Sequence, residues 1–213
     1  MKKRLIAIMV AGIMCTTLLT GCEEEETVQK ETKTPTICPV SGSVLESSEV
    51  VEKDMKLVTK YDIDYSLDQW KITDLKMINI SAKLENMPKN AEVLVEHVHI
   101  DMALKSTDPY LDGLAVNSMD DSFLGYSQDG FVISETYAYN NKFAVGGFNN
   151  DLQVRWGDGH ISYDRLTEYS LINSGEVYAN ELQAVYNLLI KYEGEKYFHT
   201  ISVANKFLIP VAS

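Results

Sequence analysis

Two imidazoles and a carboxylate alternate along His97-Val98-His99-Ile100-Asp101, the stretch of this chain whose side chains are best suited to chemistry. Residues two apart on an extended strand project to the same side, so all three line one face. Their nitrogen and oxygen donors suit a first-row metal such as Zn2+ or Fe2+, and a catalytic zinc needs three protein ligands with one position left open. One strand is a poor cage, because alternate residues lie roughly 6 to 7 Å apart in a nearly straight row. At least one ligand would have to come from another strand, and His160 and His199 are the remaining imidazoles. Leu94, Val98, Ile100, Met102 and Leu104 fall on the opposite face and read as core, so polar residues are needed on this side in any case. The expectation is a solvated face at His97, His99 and Asp101 without a metal or other cofactor.

The stretch 106–130 carries Asp108, Asp112, Asp120, Asp121 and Asp129 among Pro109, Gly113, Gly125 and Gly130. It reads as a long surface loop of turn-forming residues, and no EF-hand frame orders its carboxylates around Ca2+. Aromatic residues gather beside it: Tyr110, Phe123, Tyr126, Phe131, Tyr137, Tyr139, Phe143, Phe148, Trp156 and Tyr163. Buried, they are core; exposed, they form a surface for a protein, peptide or glycan partner. Gly146-Gly147 reads as a bulge or a close backbone approach, since no phosphate-binding or dinucleotide fingerprint accompanies it. No nucleophile elbow or H-E-x-x-H pair occurs either, so no catalytic residue is assigned.

Period-two alternation dominates the elements that position these residues. Ile78, Ile80, Ala82 and Leu84 alternate with Asn79, Ser81 and Lys83, and strands are expected over 49–58, 78–84, 92–104, 130–136, 142–148 and 152–156. Two more, over 182–192 and 195–204, flank a hairpin turn at Glu193-Gly194, although 182–190 also fits helical spacing. A short helix is expected over 164–173, behind Asp164 as its cap. The expected fold is mainly β: an antiparallel β-sandwich of Ig-like or jelly-roll type with at most one or two short helices.

Upstream, Lys2-Lys3-Arg4 opens an apolar run that ends in Leu19-Thr20-Gly21-Cys22. These four residues closely resemble the lipobox of bacterial lipoproteins, an aliphatic residue and two small ones before a cysteine. The resemblance implies cleavage of residues 1–21 and a diacylglyceryl thioether, with palmitate-type acyl chains, on Cys22. Lipid attachment at Cys22 would place the protein on the extracytoplasmic side of a cell membrane. The apolar run is shorter than the roughly 20 residues a spanning helix needs. Cys15 would leave with the signal and Cys22 would be acylated, which leaves Cys38 without an intramolecular disulfide partner.

Charge excludes one class of partner. The chain carries 19 basic and 31 acidic residues, and loss of Lys2, Lys3 and Arg4 takes the net charge from -12 to -15. With no Lys/Arg cluster, a nucleic acid backbone has nothing to bind. Residues 22–48 begin with Glu23-Glu24-Glu25-Glu26 and continue poor in apolar material, an expected disordered acidic tether; 49–213 then form one domain. The function expected is a membrane-anchored surface lipoprotein with a non-catalytic interaction domain. Its alternative is a metal-binding protein or metal-dependent enzyme built on His97, His99 and Asp101.

Overall fold

The structure, a computed structural model, describes residues 36–37, 42–109, 111–123, 130–146 and 177–212, all within one compact unit. Ten strands follow one another: β1 (Thr36–Ile37), β2 (Val44–Glu52), β3 (Met55–Ile63), β4 (Lys76–Glu85), β5 (Ala91–Ser106), β6 (Ala115–Ser122), β7 (Phe131–Val132), β8 (Tyr139–Val145), β9 (Val177–Tyr192) and β10 (His199–Pro210). A 3-10 turn at Leu67–Gln69 is the helical piece among the described residues. One sheet has the order β1-β10-β9-β5-β6, with β7 also on β5; the other has the order β2-β3-β4-β8. All pairings are antiparallel except that of β1 with β10. The sheets pack face to face as a β-sandwich, the expected class.

Alternation explains the core. Ile78, Ile80, Ala82 and Leu84 of β4 are buried, as are Val98, Ile100 and Met102 of β5 and Leu182, Ala184, Tyr186, Leu188 and Ile190 of β9. These inward rows join in one apolar cluster between the sheets. Region 182–190, ambiguous by pattern, is therefore strand. A polar seam runs through the same core. Asn205 Nδ2 donates to Thr59 Oγ1 at 2.7 Å and to Tyr61 Oη at 3.0 Å, and the Tyr61 and Tyr186 hydroxyls stand 3.0 Å apart. Both sides of the sandwich are tied across the sheets. Tyr139 Oη and Asn141 Nδ2 of β8 donate to Asp121 of β6 at 2.8 and 2.7 Å, and His199 of β10 lies 3.0 Å from Glu52 of β2.

Several expectations are corrected. The run 49–58 is not one strand: it is cut by the β2–β3 hairpin, where Glu52 pairs with Met55 and Lys53 takes φ 54°. Val51, Met55 and Leu57 keep one alternating phase through the turn, which hides it from a period-two reading. The domain also begins earlier than Glu49, because β2 starts at Val44, Leu45 is buried, and β1 lies within the segment expected to be tether. The stretch 106–130 is not one loop: β6 occupies its middle as an edge strand whose polar composition disguised it. Strand 130–136 shrinks to Phe131–Val132, and the link from β9 to β10 spans 193–198, with Gly194 at φ 90°. The segments 152–156 and 164–173 lie outside the described residues.

Leu94 is the last correction. Relative to β9, β5 carries one extra residue, Glu96, between Val95 and His97. This bulge resets the phase, so Val93 and Val95 join Val98 in the core, while Leu94 pairs beside Leu189 outside that cluster.

Candidate functional site

The β5 pattern places His97, His99 and Asp101 together on the outer face of the larger sheet, as expected. Across β6 their partners are Ser122, Asp120 and Ser118; across β9 they are Asn187, Val185 and Gln183. Asp120, directly opposite His99, completes a chain of contacts. Its Oδ1 lies 2.9 Å from His97 Nε2 and 2.7 Å from His99 Nδ1, and His99 Nε2 lies 2.8 Å from Asp101 Oδ2. The sequence reading missed this partner because it left Asp120 in a loop.

This arrangement binds protons. An ionised carboxylate only accepts hydrogen bonds, so a carboxylate at each ring nitrogen favours the doubly protonated, imidazolium form of His99. The bond with Asp120 does most to raise the His99 pKa above its ordinary value, with Asp101 adding to it against partial desolvation. Asp120 is held below the usual carboxylate range, by His99 first and then His97. The imidazole centroids are 6.3 Å apart. That leaves at least about 4 Å between facing nitrogens, wider than the roughly 3.3 Å between two ligands on a tetrahedral zinc with Zn–N near 2.0 to 2.1 Å. Among the described residues, no three His, Cys, Asp or Glu side chains are grouped to hold a metal ion.

A pH dependence follows. His99 holds its proton more tightly folded than unfolded, so its stabilisation is complete below its unfolded value near 6.5 and fades as pH rises through the folded value. The melting-temperature advantage of wild type over His99→Gln is expected to narrow as pH rises from about 6.5 through the raised folded value. An advantage that widens over that range would contradict the imidazolium.

The remaining candidate residues are engaged elsewhere. His199 pairs with Glu52 and stacks on Tyr192, while His160, Cys22 and Cys38 lie outside the described residues. Asp112 binds Lys105 at 2.9 Å and the Ser106 amide at 3.1 Å, so with Asp120 and Asp121 also committed, the acidic residues do not converge on one centre. Asp129 is outside the described residues. Phe123, Phe131, Tyr137 and Tyr139 form an aromatic cluster, in which Tyr137 stacks on Phe131 at 5.5 Å and is 57% exposed, whereas Tyr139 and Phe143 are buried. Tyr110, Tyr126, Phe148, Trp156 and Tyr163 lie outside the described residues. Gly146 is a close backbone approach, since a Cβ there would fall 2.6 Å from Leu75 Cα.

Sequence reasoning also missed the outer face of the smaller sheet. A shallow groove of about 610 Å3 crosses β3, β4 and β8 between Lys60 and Lys142, over Asn79, Ser81 and Asn140. These residues read singly as the wet side of strands, and only the register brings them together.

No family model and no curated protein matches this chain. Among solved structures, six chains match. One is a protein from Archaeoglobus fulgidus of known crystal structure, 12% identical, covering 79% of this chain and 96% of that one. Its TM-score of 0.27 is too low to carry fold or function across.

Proposed function

We propose that this protein is a membrane-anchored surface lipoprotein whose β-sandwich is a non-catalytic interaction module. One observation carries the reading: the basic start and apolar run end in Leu19-Thr20-Gly21-Cys22, followed by Glu23-Glu24-Glu25-Glu26 and then a single compact unit. Two acyl chains on Cys22, at about 0.8 kcal/mol per buried CH2, hold a protein stably at a bilayer where one chain does not. The acidic segment spaces the domain from the headgroups. Among the described residues, no helix is long and apolar enough to cross a membrane.

The alternative, a metal-dependent protein on His97, His99 and Asp101, gains a cross-strand carboxylate in Asp120. Against it stand the two carboxylates already at the nitrogens of His99 and the wide separation of the rings. The interaction module is the reading the geometry supports best.

Cys22→Ala tests the anchor. The substituted chain is expected to incorporate no labelled palmitate and to be released from the membrane fraction or processed differently there. Label retained in Cys22→Ala would refute acylation at that residue.

A further inference from the structure

We infer that the groove on the outer face of the smaller sheet is a binding site for an anionic polysaccharide. The inference rests on the interaction-module reading and gives that module a ligand class. Two rungs of the sheet build the site. Lys60, Ser81 and Asn140 align across β3, β4 and β8, and Asp62, Asn79 and Lys142 align on the next rung. Lys60 and Lys142 thus stand at opposite corners, with Cα atoms about 12 Å apart for a strand spacing near 4.8 Å and a rise near 3.4 Å per residue.

Lys60 and Lys142 belong, with Lys56, Lys71, Lys83 and Lys89, to the lysines that no carboxylate or ring engages among the described residues, and of these only Lys60 and Lys142 line the groove. Lys105 and Lys206 are paired with Asp112 and Glu181, and Lys76 is buried against backbone carbonyls. Lys53, Lys191 and Lys196 lie over aromatic rings. Lys60 and Lys142 make no ion pair or side-chain hydrogen bond among the described residues, although Glu46 lies opposite Lys60 and Asp62 shares the groove. Unpaired cations flanking a concave surface suit an anion as partner.

The floor narrows the class. Asn79, Ser81 and Asn140 offer amide and hydroxyl groups that donate and accept, and Asp62 accepts, which matches the hydroxyls of a sugar. A protein hot spot wants an aromatic or apolar anchor, and single-stranded nucleic acid wants stacking rings. The groove residues offer neither, because Ile80 beneath them is buried. A chain of hydroxyls bearing carboxylates or similar acid groups satisfies both the floor and the corners.

Affinity electrophoresis of the full chain in detergent micelles, through gels containing polygalacturonate or neutral dextran, tests the site. Near physiological salt, where screening acts beyond about 8 Å, the protein's general negative charge opposes binding less than the local lysines favour it. Wild type is expected to be retarded by polygalacturonate and not by dextran. A Lys60→Gln, Lys142→Gln variant should need at least fivefold more polysaccharide for the same retardation. A Lys89→Gln, Lys196→Gln variant, with the same charge change away from the groove, should behave as wild type. Absence of retardation, equal retardation by dextran, or equal loss in both variants would overturn the assignment. Palmitate labelling at Cys22 is scored separately, so a failed groove is distinguishable from a failed lipoprotein reading.

Discussion

Lys76→Met is expected to destabilise the domain by about 3 kcal/mol, a large share of a typical folding free energy. Lys76 opens β4 and is fully buried, and its ammonium donates to the carbonyls of Lys71 and Asp74. The same ammonium lies 4.5 Å from the centroid of the Trp70 ring and 5.0 Å from that of Tyr65. Trp70 in turn donates to Asn180 of β9 at 2.8 Å, and the Tyr65 hydroxyl donates to Asp74. One cation therefore gathers the segment between β3 and β4 and presses it onto the other sheet. Charged hydrogen bonds contribute about 1.5 to 3 kcal/mol each and a desolvated cation–π contact about 2. Relief of the buried charge offsets part of the loss. Met matches the length but donates nothing, so the two carbonyls lose this donor. The midpoint of urea unfolding reads the effect directly, and a variant as stable as wild type would show that burying the charge cancels what it binds.

Nothing in the sequence marks Lys76, because a lysine at the start of a strand reads as exposed and fully buried lysines are rare. The legible parts were those where alternation alone decides the outcome: β4, most of β5, and the shared face of His97, His99 and Asp101. Features set by pairing were not legible. The Lys53-Asp54 turn breaks no phase, and Glu96 shifts Leu94 without any change in residue type nearby. Asp120 reaches His99 only in a register that slips between Met102 and Ala103 along the β5–β6 ladder. The groove likewise depends on which polar residues three strands bring side by side. A face can be read from one strand, whereas a site made by several strands requires their register.

Asn205→Asp, a nearly isosteric change, is expected to make stability fall steeply with pH, by about 4 kcal/mol between pH 4 and pH 7 if burial raises the new carboxyl to near neutrality. Asn205 points into the core of β10 between the buried Val203 and Phe207. Its Nδ2 bonds Thr59 and Tyr61, while its Oδ1 has no partner. With Asp at this position, the hydroxyls of Thr59 and Tyr61 can turn to donate to one oxygen, but the other carries charge into an apolar layer with no donor. Burial already pushes the hydroxyls of Tyr61 and Tyr186 above their ordinary range, the same penalty on charge that a carboxylate there would meet. A folded pKa above the unfolded value of about 3.9 leaves stability intact below it and removes about 1.4 kcal/mol per pH unit up to the folded value. Urea unfolding at pH 4 and pH 7 measures this slope against wild type. A flat difference would mean that water or the neighbouring hydroxyls solvate the carboxylate, and that the interface between the two sheets is wetter than its packing indicates.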